Sequence, residues 1–197
     1  MLAIGDGAGK RQSSRFLSGW LVAALLVASG ILWAVMFFGT LAHLQDLAGG
    51  LAPFDIRPLG YSDADARKFL DAIGPDGRAY YLNPELVLDG IYPPLYALSR
   101  GLALAWLTMP GRVRDGAIPG AWRWALVAVP VVMAILDGGV ENVSIARMLR
   151  EWPALSPGLV QLSSLATQAK LVLGAFTEIA MAVLAAAALR RWQITRR

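Results

Sequence analysis

The stretch ILDGGVEN, residues 135–142, decides the fold, because it places Asp137 and Glu141 inside one of the most apolar parts of the chain. Side chains four residues apart share one face of a helix. A charge at the centre of a membrane-spanning helix costs about 2.5 to 3.5 kcal/mol, whereas a strongly apolar residue contributes only about 0.3 to 0.6 kcal/mol. The two carboxylates therefore need water, a paired cation or a polar interior, and such an interior requires several helices.

The composition places the chain among integral membrane proteins. Of its 197 residues, 56% are hydrophobic and only 16% are charged, and the mean hydropathy is +0.52. Cysteine is absent, which excludes disulfides, thiol nucleophiles and cysteine-ligated zinc or iron–sulfur sites. The net charge of +4 comes from short basic clusters beside apolar segments. Such clusters indicate membrane topology, so the expected partner is the lipid bilayer and no nucleic acid is expected.

Four stretches are long enough to cross the hydrocarbon core, which takes about 20 mostly apolar residues in a helix. They cover roughly residues 16–39, 91–109, 122–145 and 160–189. The predicted fold class is all-α, an integral membrane four-helix bundle forming a single membrane domain over residues 1–197. The first two helices are joined by an external loop, residues 40–90, that is predicted to contain a short extramembrane helix.

Lysine and arginine near the ends of the spans predict the orientation, because cytoplasmic loops carry an excess of them. Three basic groups alternate with less basic connections, so we expect a multi-pass protein of the cell inner membrane with both termini cytoplasmic. The groups are Lys10, Arg11 and Arg15 before the first span; Arg112, Arg114 and Arg123 between the second and third; and Arg190, Arg191, Arg196 and Arg197 after the fourth.

The external loop contains one predicted helix, residues 63–73. Ser62 is a favourable N-cap before two acidic residues, and the Gly-Pro pair at 74–75 is a helix stop. The apolar side chains of this helix share one face. Two interpretations stay open: a lid over the outer mouth of the bundle, or an interfacial helix that returns the chain to the second span.

Three of the four spans carry a polar stripe at helical spacing. At 1.5 Å per residue, Arg100 and Glu178 form a deep layer beneath an outer layer that includes Asp137, Glu141 and Lys170. Lys170 is the natural partner of the two carboxylates. The candidate ligand-binding residues are Asp89, Tyr92, Tyr96, Arg100, Asp137, Glu141, Lys170 and Glu178.

The preferred hypothesis is an outward-opening polar pocket that binds a small polar molecule or a lipid headgroup. Transport by so small a bundle would require a homodimer. One alternative is that the charges form a structural network in a non-catalytic accessory subunit of a larger membrane complex. Another is an intramembrane enzyme that uses the carboxylates with a metal such as Mg²⁺.

No catalytic residue is identified, since zinc-protease and serine-hydrolase motifs are absent from the sequence. A non-enzymatic role without cofactor or resident metal is therefore favoured.

The chain also resembles a group of known proteins through three segments. They are FDIRPLGYSDADARKFLDAIGPDGRAYYL at 54–82, LDGIYPPLY at 88–96 and DGGVEN at 137–142. Together they resemble small uncharacterised bacterial four-helix membrane proteins with no established activity. The resemblance implies the four-helix fold and adds nothing to the chemistry.

Overall fold

The fold is all-helical in a computed structural model of the protein, which describes residues 18–113 and 118–196. No strand occurs among these residues, so the predicted all-α class is confirmed. The helices are α1 (Gly19–Leu47), α2 (Asp63–Ala72), α3 (Gly74–Tyr80), α4 (Leu86–Leu107), α5 (Gly120–Glu151) and α6 (Pro157–Thr195).

Three helices, α1, α5 and α6, are long and apolar enough to cross a membrane. This finding fits a membrane protein. Helix α4 is less apolar because Asp89, Arg100 and two prolines interrupt it. Helix α6 has 39 residues and extends about 58 Å at 1.5 Å per residue, more than the roughly 40 to 45 Å of a whole bilayer.

The helices extend beyond the predicted spans. Helix α4 begins at residue 86 instead of 91, α5 covers Gly120–Glu151 instead of 122–145, and α6 covers Pro157–Thr195 instead of 160–189. The first helix continues to Leu47 through a π-helical turn, Met36–Thr40, instead of ending at residue 39. The Gly-Pro pair at 74–75 ends α2 as predicted, but Pro75 then lies in the first turn of α3, where its missing N–H is not needed. Residues 16 and 17 and the basic residues Lys10, Arg11, Arg15, Arg114 and Arg197 lie outside the described residues.

Helix α4 is the centre of the bundle. It packs against α1, α5 and α6, and α5 also packs against α6. Over the described residues, α1 and α6 show no comparable packing against each other. The helix that carries Asp89 and Arg100 is therefore covered by its neighbours, and a gap separates α1 from α6.

The segment 51–85, which we call the cap, folds onto one end of the bundle. Its core is aromatic, with Phe54, Phe69 and Tyr81 fully buried against Ile145 of α5 and Val160 of α6. The cap is thus packed like the core of a soluble domain.

Helix α2 of the cap begins where the sequence predicts. Ser62 Oγ accepts a hydrogen bond from the Asp65 backbone N–H at 3.2 Å, and the Asp65 carboxylate accepts one from the Ser62 N–H at 2.9 Å. These reciprocal bonds form a capping box. Hydrogen bonds from Ser62 lower the pKa of the Asp65 carboxyl.

Candidate functional site

The centre of the candidate site is the ammonium group of Lys170 on α6. Its Nζ lies 2.7 Å from Asp137 Oδ1 and 2.6 Å from Glu141 Oε2, and all three residues are at most 5% exposed. Both carboxylates come from a π-helical segment of α5, Ile135–Glu141, a local structure that is frequent at functional sites. The predicted pairing of Lys170 with these two carboxylates is confirmed.

The cap contributes to this cluster through Asp55. Its Oδ1 lies 3.9 Å from Lys170 Nζ, and its Oδ2 accepts a hydrogen bond from the buried Tyr81 hydroxyl. On the bundle side, Glu141 Oε1 accepts a hydrogen bond of 2.6 Å from the Thr167 hydroxyl. Sequence reasoning missed Asp55; the signal was an acidic residue inside the apolar run PFDI.

Asp89 on α4 is buried beside this cluster without a full set of partners. No group among the described residues donates a hydrogen bond to its Oδ2. The backbone carbonyl of Asp89 accepts a bond of 2.9 Å from Asn142 Nδ2, which ties α4 to α5. A buried carboxylate oxygen without a donor is costly, so its surroundings call for a proton or a ligand.

Glu85, which precedes α4, adds another buried carboxyl that the sequence did not single out. Burial, followed by the nearby negative charge of Asp55, raises the pKa of Glu85 to about 7. The cluster then holds five carboxyl groups and one ammonium group, the carboxyls being Asp55, Glu85, Asp89, Asp137 and Glu141. Full ionisation would leave it with an excess of four negative charges, so it favours protons or a bound cation.

A second charged layer lies deeper in the bundle, around Arg100 of α4. Its Nε donates a hydrogen bond of 2.9 Å to Glu178 Oε1 of α6, and its Nη1 donates one of 2.7 Å to Ser29 Oγ of α1. The guanidinium also lies 4.8 Å from the centre of the Tyr96 ring. Arg100 and Glu178 therefore lie together as predicted. The sequence pattern predicts no polar stripe on the first span, and Ser29, which is fully buried, was not a candidate.

A cavity of about 370 Å³ connects the two charged layers. Most of the candidate residues line it, but Glu141 does not reach its wall and contacts Lys170 instead. Asp55, which was not a candidate, does line it. The candidates on the wall are Asp89, Tyr92, Tyr96, Arg100, Asp137, Lys170 and Glu178.

The mouth of the cavity is on the side of the bundle. Its exposed lining residues belong to α1 and α6, and they include Trp33, Phe37, Ala175 and Glu178. The lining residues from α4 and α5, apart from the partly buried Arg100, are buried. The cavity therefore opens through the gap between α1 and α6, and this mouth is mainly apolar.

The carboxylates of the cluster surround an ammonium group. Within the described residues, no group of three or more His, Asp or Glu side chains is arranged to hold a metal ion.

Comparison of the chain with protein-family models, with curated proteins and with solved structures finds no match.

Proposed function

We propose that this chain is a multi-pass inner-membrane protein whose helices α1, α4, α5 and α6 span the bilayer as a four-helix bundle, with both termini cytoplasmic and the cap outside. The 22 residues of α4 extend about 33 Å, close to the roughly 30 Å of the hydrocarbon core. Its charges tolerate that position because three neighbouring helices cover it. The outer helices expose large apolar side chains such as Ile31, Val172 and Ile179, as lipid-facing surfaces do.

The cavity in this bundle binds the polar group of a small molecule or lipid. The observation that carries this proposal is the cavity itself, about 370 Å³ between two charged layers. Charges that served only to hold helices together would be packed without a void, because protein interiors are close-packed and an empty cavity is destabilising. Binding, with or without transport, explains both the charges and the space between them.

The arrangement favours binding over catalysis. An amine acts as a nucleophile only when it is unprotonated, and two carboxylates within 2.7 Å stabilise the ammonium form of Lys170. Arg100 is a poor acid–base catalyst, because its guanidinium stays protonated and already donates hydrogen bonds to Glu178 and Ser29.

Native mass spectrometry of the protein, purified from its own membrane in a mild non-ionic detergent, tests the proposal. The wild type should retain a small mass that is lost in Ala175→Trp, which places a bulky side chain at the cavity wall and changes no charge. The control is Ala182→Trp, which introduces the same side chain at an exposed position of α6 outside the cavity, and it should keep that mass.

Two results would overturn binding in this cavity. One is a retained mass that both tryptophan variants hold equally well. The other is a stoichiometric protein partner with no retained small mass, which would instead make the chain an accessory subunit of a larger membrane complex.

A further inference from the structure

We propose that the cavity accepts the protonated amine headgroup of an amphiphile, which reaches it from the bilayer through the gap between α1 and α6. This inference rests on the proposed function and specifies its ligand and its route. Three features support it: the sign of the unpaired charge, the aromatic walls and the position of the mouth.

The charges on the cavity wall favour a cation. Lys170 is already neutralised by Asp137 and Glu141, and Arg100 by Glu178, so neither cation is free for an anionic ligand. Asp89 Oδ2, in contrast, is buried and has no donor among the described residues. An ammonium group at this oxygen would supply both the missing hydrogen bond and the missing positive charge.

Aromatic side chains line the same space. Tyr92 and Tyr96 lie on the buried wall with ring centres 5.8 Å apart, and Trp33 and Phe37 stack at 4.9 Å at the mouth. The faces of aromatic rings attract cations, more strongly where water is excluded. The rings at the mouth also provide an apolar path for a hydrocarbon chain.

The position of the mouth selects an amphiphile over a soluble amine. Asp55 and Ile56 of the cap line the cavity, so the cap covers the end that faces the external side of the proposed bundle. The open side lies between α1 and α6, at the level of their apolar surfaces. About 370 Å³ is the volume of roughly a dozen water molecules, enough for a headgroup but not for a whole lipid. The hydrocarbon chain would stay outside, among the lipids.

Isothermal titration calorimetry of the protein in dodecyl maltoside tests the ligand class with four probes. Dodecylamine should bind, whereas dodecanol and ethylamine should each bind at least about tenfold more weakly. Dodecanol has the chain without the charge, and ethylamine has the charge without the chain. Dodecyl phosphate reverses the sign of the charge and should bind no better than dodecanol.

Variants test the position of the headgroup and the route. Asp89→Asn should weaken dodecylamine binding by about tenfold or more while leaving the affinity for dodecanol unchanged.

Ala175→Trp tests the route. It should obstruct the mouth and weaken dodecylamine binding without changing any charge. Its control is Ala182→Trp, an exposed position on α6 away from the cavity, which should bind dodecylamine like the wild type. Circular dichroism confirms that each variant is folded.

Each contrary outcome identifies which proposal fails. Tighter binding of dodecyl phosphate than of dodecylamine overturns the cationic headgroup but keeps the binding function. Equal binding of ethylamine and dodecylamine overturns the lateral route. If no probe binds although the purified protein retains a small mass, the amine is the wrong class. If no probe binds and no mass is retained, the proposed function fails as well.

Discussion

At the scale of single residues, Lys170 determines whether the interior of the bundle is stable. Removing ions from water is expensive, and close opposite charges repay that cost only when the pair stays complete. Lys170 satisfies two carboxylates at once, and Thr167 adds a hydrogen bond to Glu141. The loss of this one ammonium group would therefore leave two carboxylates buried without a cation.

We expect Lys170→Met to lower the free energy of unfolding by about 3 to 5 kcal/mol. Arg147→Met, which breaks an ion pair on the surface of α5, should cost no more than about 1 kcal/mol. Unfolding in mixed dodecyl maltoside and dodecyl sulfate micelles, followed by circular dichroism, measures both. Similar losses in the two variants would contradict the role assigned to Lys170.

Glu85 should make stability depend on pH. Its pKa of about 7 in the folded protein exceeds the ordinary 4.5, so the folded state binds the proton more tightly than the unfolded state does. Stability from this group is present at low pH and is lost as the pH rises through about 7, by up to about 3 kcal/mol. The melting temperature of Glu85→Gln should therefore rise relative to that of the wild type as the pH increases from about 5 to about 8. Parallel profiles for the two proteins would rule this out.

At the scale of elements, the cap is joined to α6 at a glycine that cannot be replaced without a shift of its neighbours. Gly60 has φ +75°, and a Cβ there would lie 2.6 Å from Ser164 Oγ and would also overlap the Gln168 side chain. Ser164 Oγ accepts a hydrogen bond of 2.8 Å from the Tyr61 N–H. The backbone of the cap therefore lies directly on α6.

Gly60→Ala should destabilise the protein by at least about 1 kcal/mol more than Gly49→Ala. Gly49 has a similar positive φ of 62°, but its Cβ would meet no atom within 4 Å, so that variant carries the backbone strain alone. Thermal unfolding gives the difference, and limited proteolysis should show faster cleavage of the cap in Gly60→Ala. Equal stabilities would mean that the cap does not depend on this close contact.

At the scale of the whole molecule, the two ends of the bundle differ. The cap and its aromatic core lie at one end, whereas α6 runs to the arginines at the other. The proposed orientation places the cap outside and the arginine-rich end in the cytoplasm, in accord with the positive-inside rule.

The absence of cysteine makes this orientation directly measurable with single introduced cysteines. In intact spheroplasts, a membrane-impermeant maleimide should label Ala64→Cys on the exposed surface of α2. Gln193→Cys, exposed near the end of α6, should react only after permeabilisation. The reverse pattern would invert the proposed topology, and labelling of both sites in intact spheroplasts would refute three crossings between the cap and the end of α6.

Three features could be predicted from the sequence: the all-helical fold, the long helices, and the pairing of Lys170 with Asp137 and Glu141. All three follow from local rules, namely helical spacing, apolar length and the high cost of an unpaired charge in an apolar segment. The resemblance to bacterial four-helix membrane proteins and the orientation stay predictions.

The tertiary structure alone decided the shape of the site. Asp55 reaches Lys170 from 115 positions away in the sequence, and Ser29 reaches Arg100 from 71 positions away. Glu141 contacts Lys170 instead of the cavity, and the mouth opens between α1 and α6. Periodicity within one helix specifies which face is polar, but it contains no information on which helices leave a gap or where a loop folds back. Those features depend on packing between distant segments, which is a property of the assembled chain.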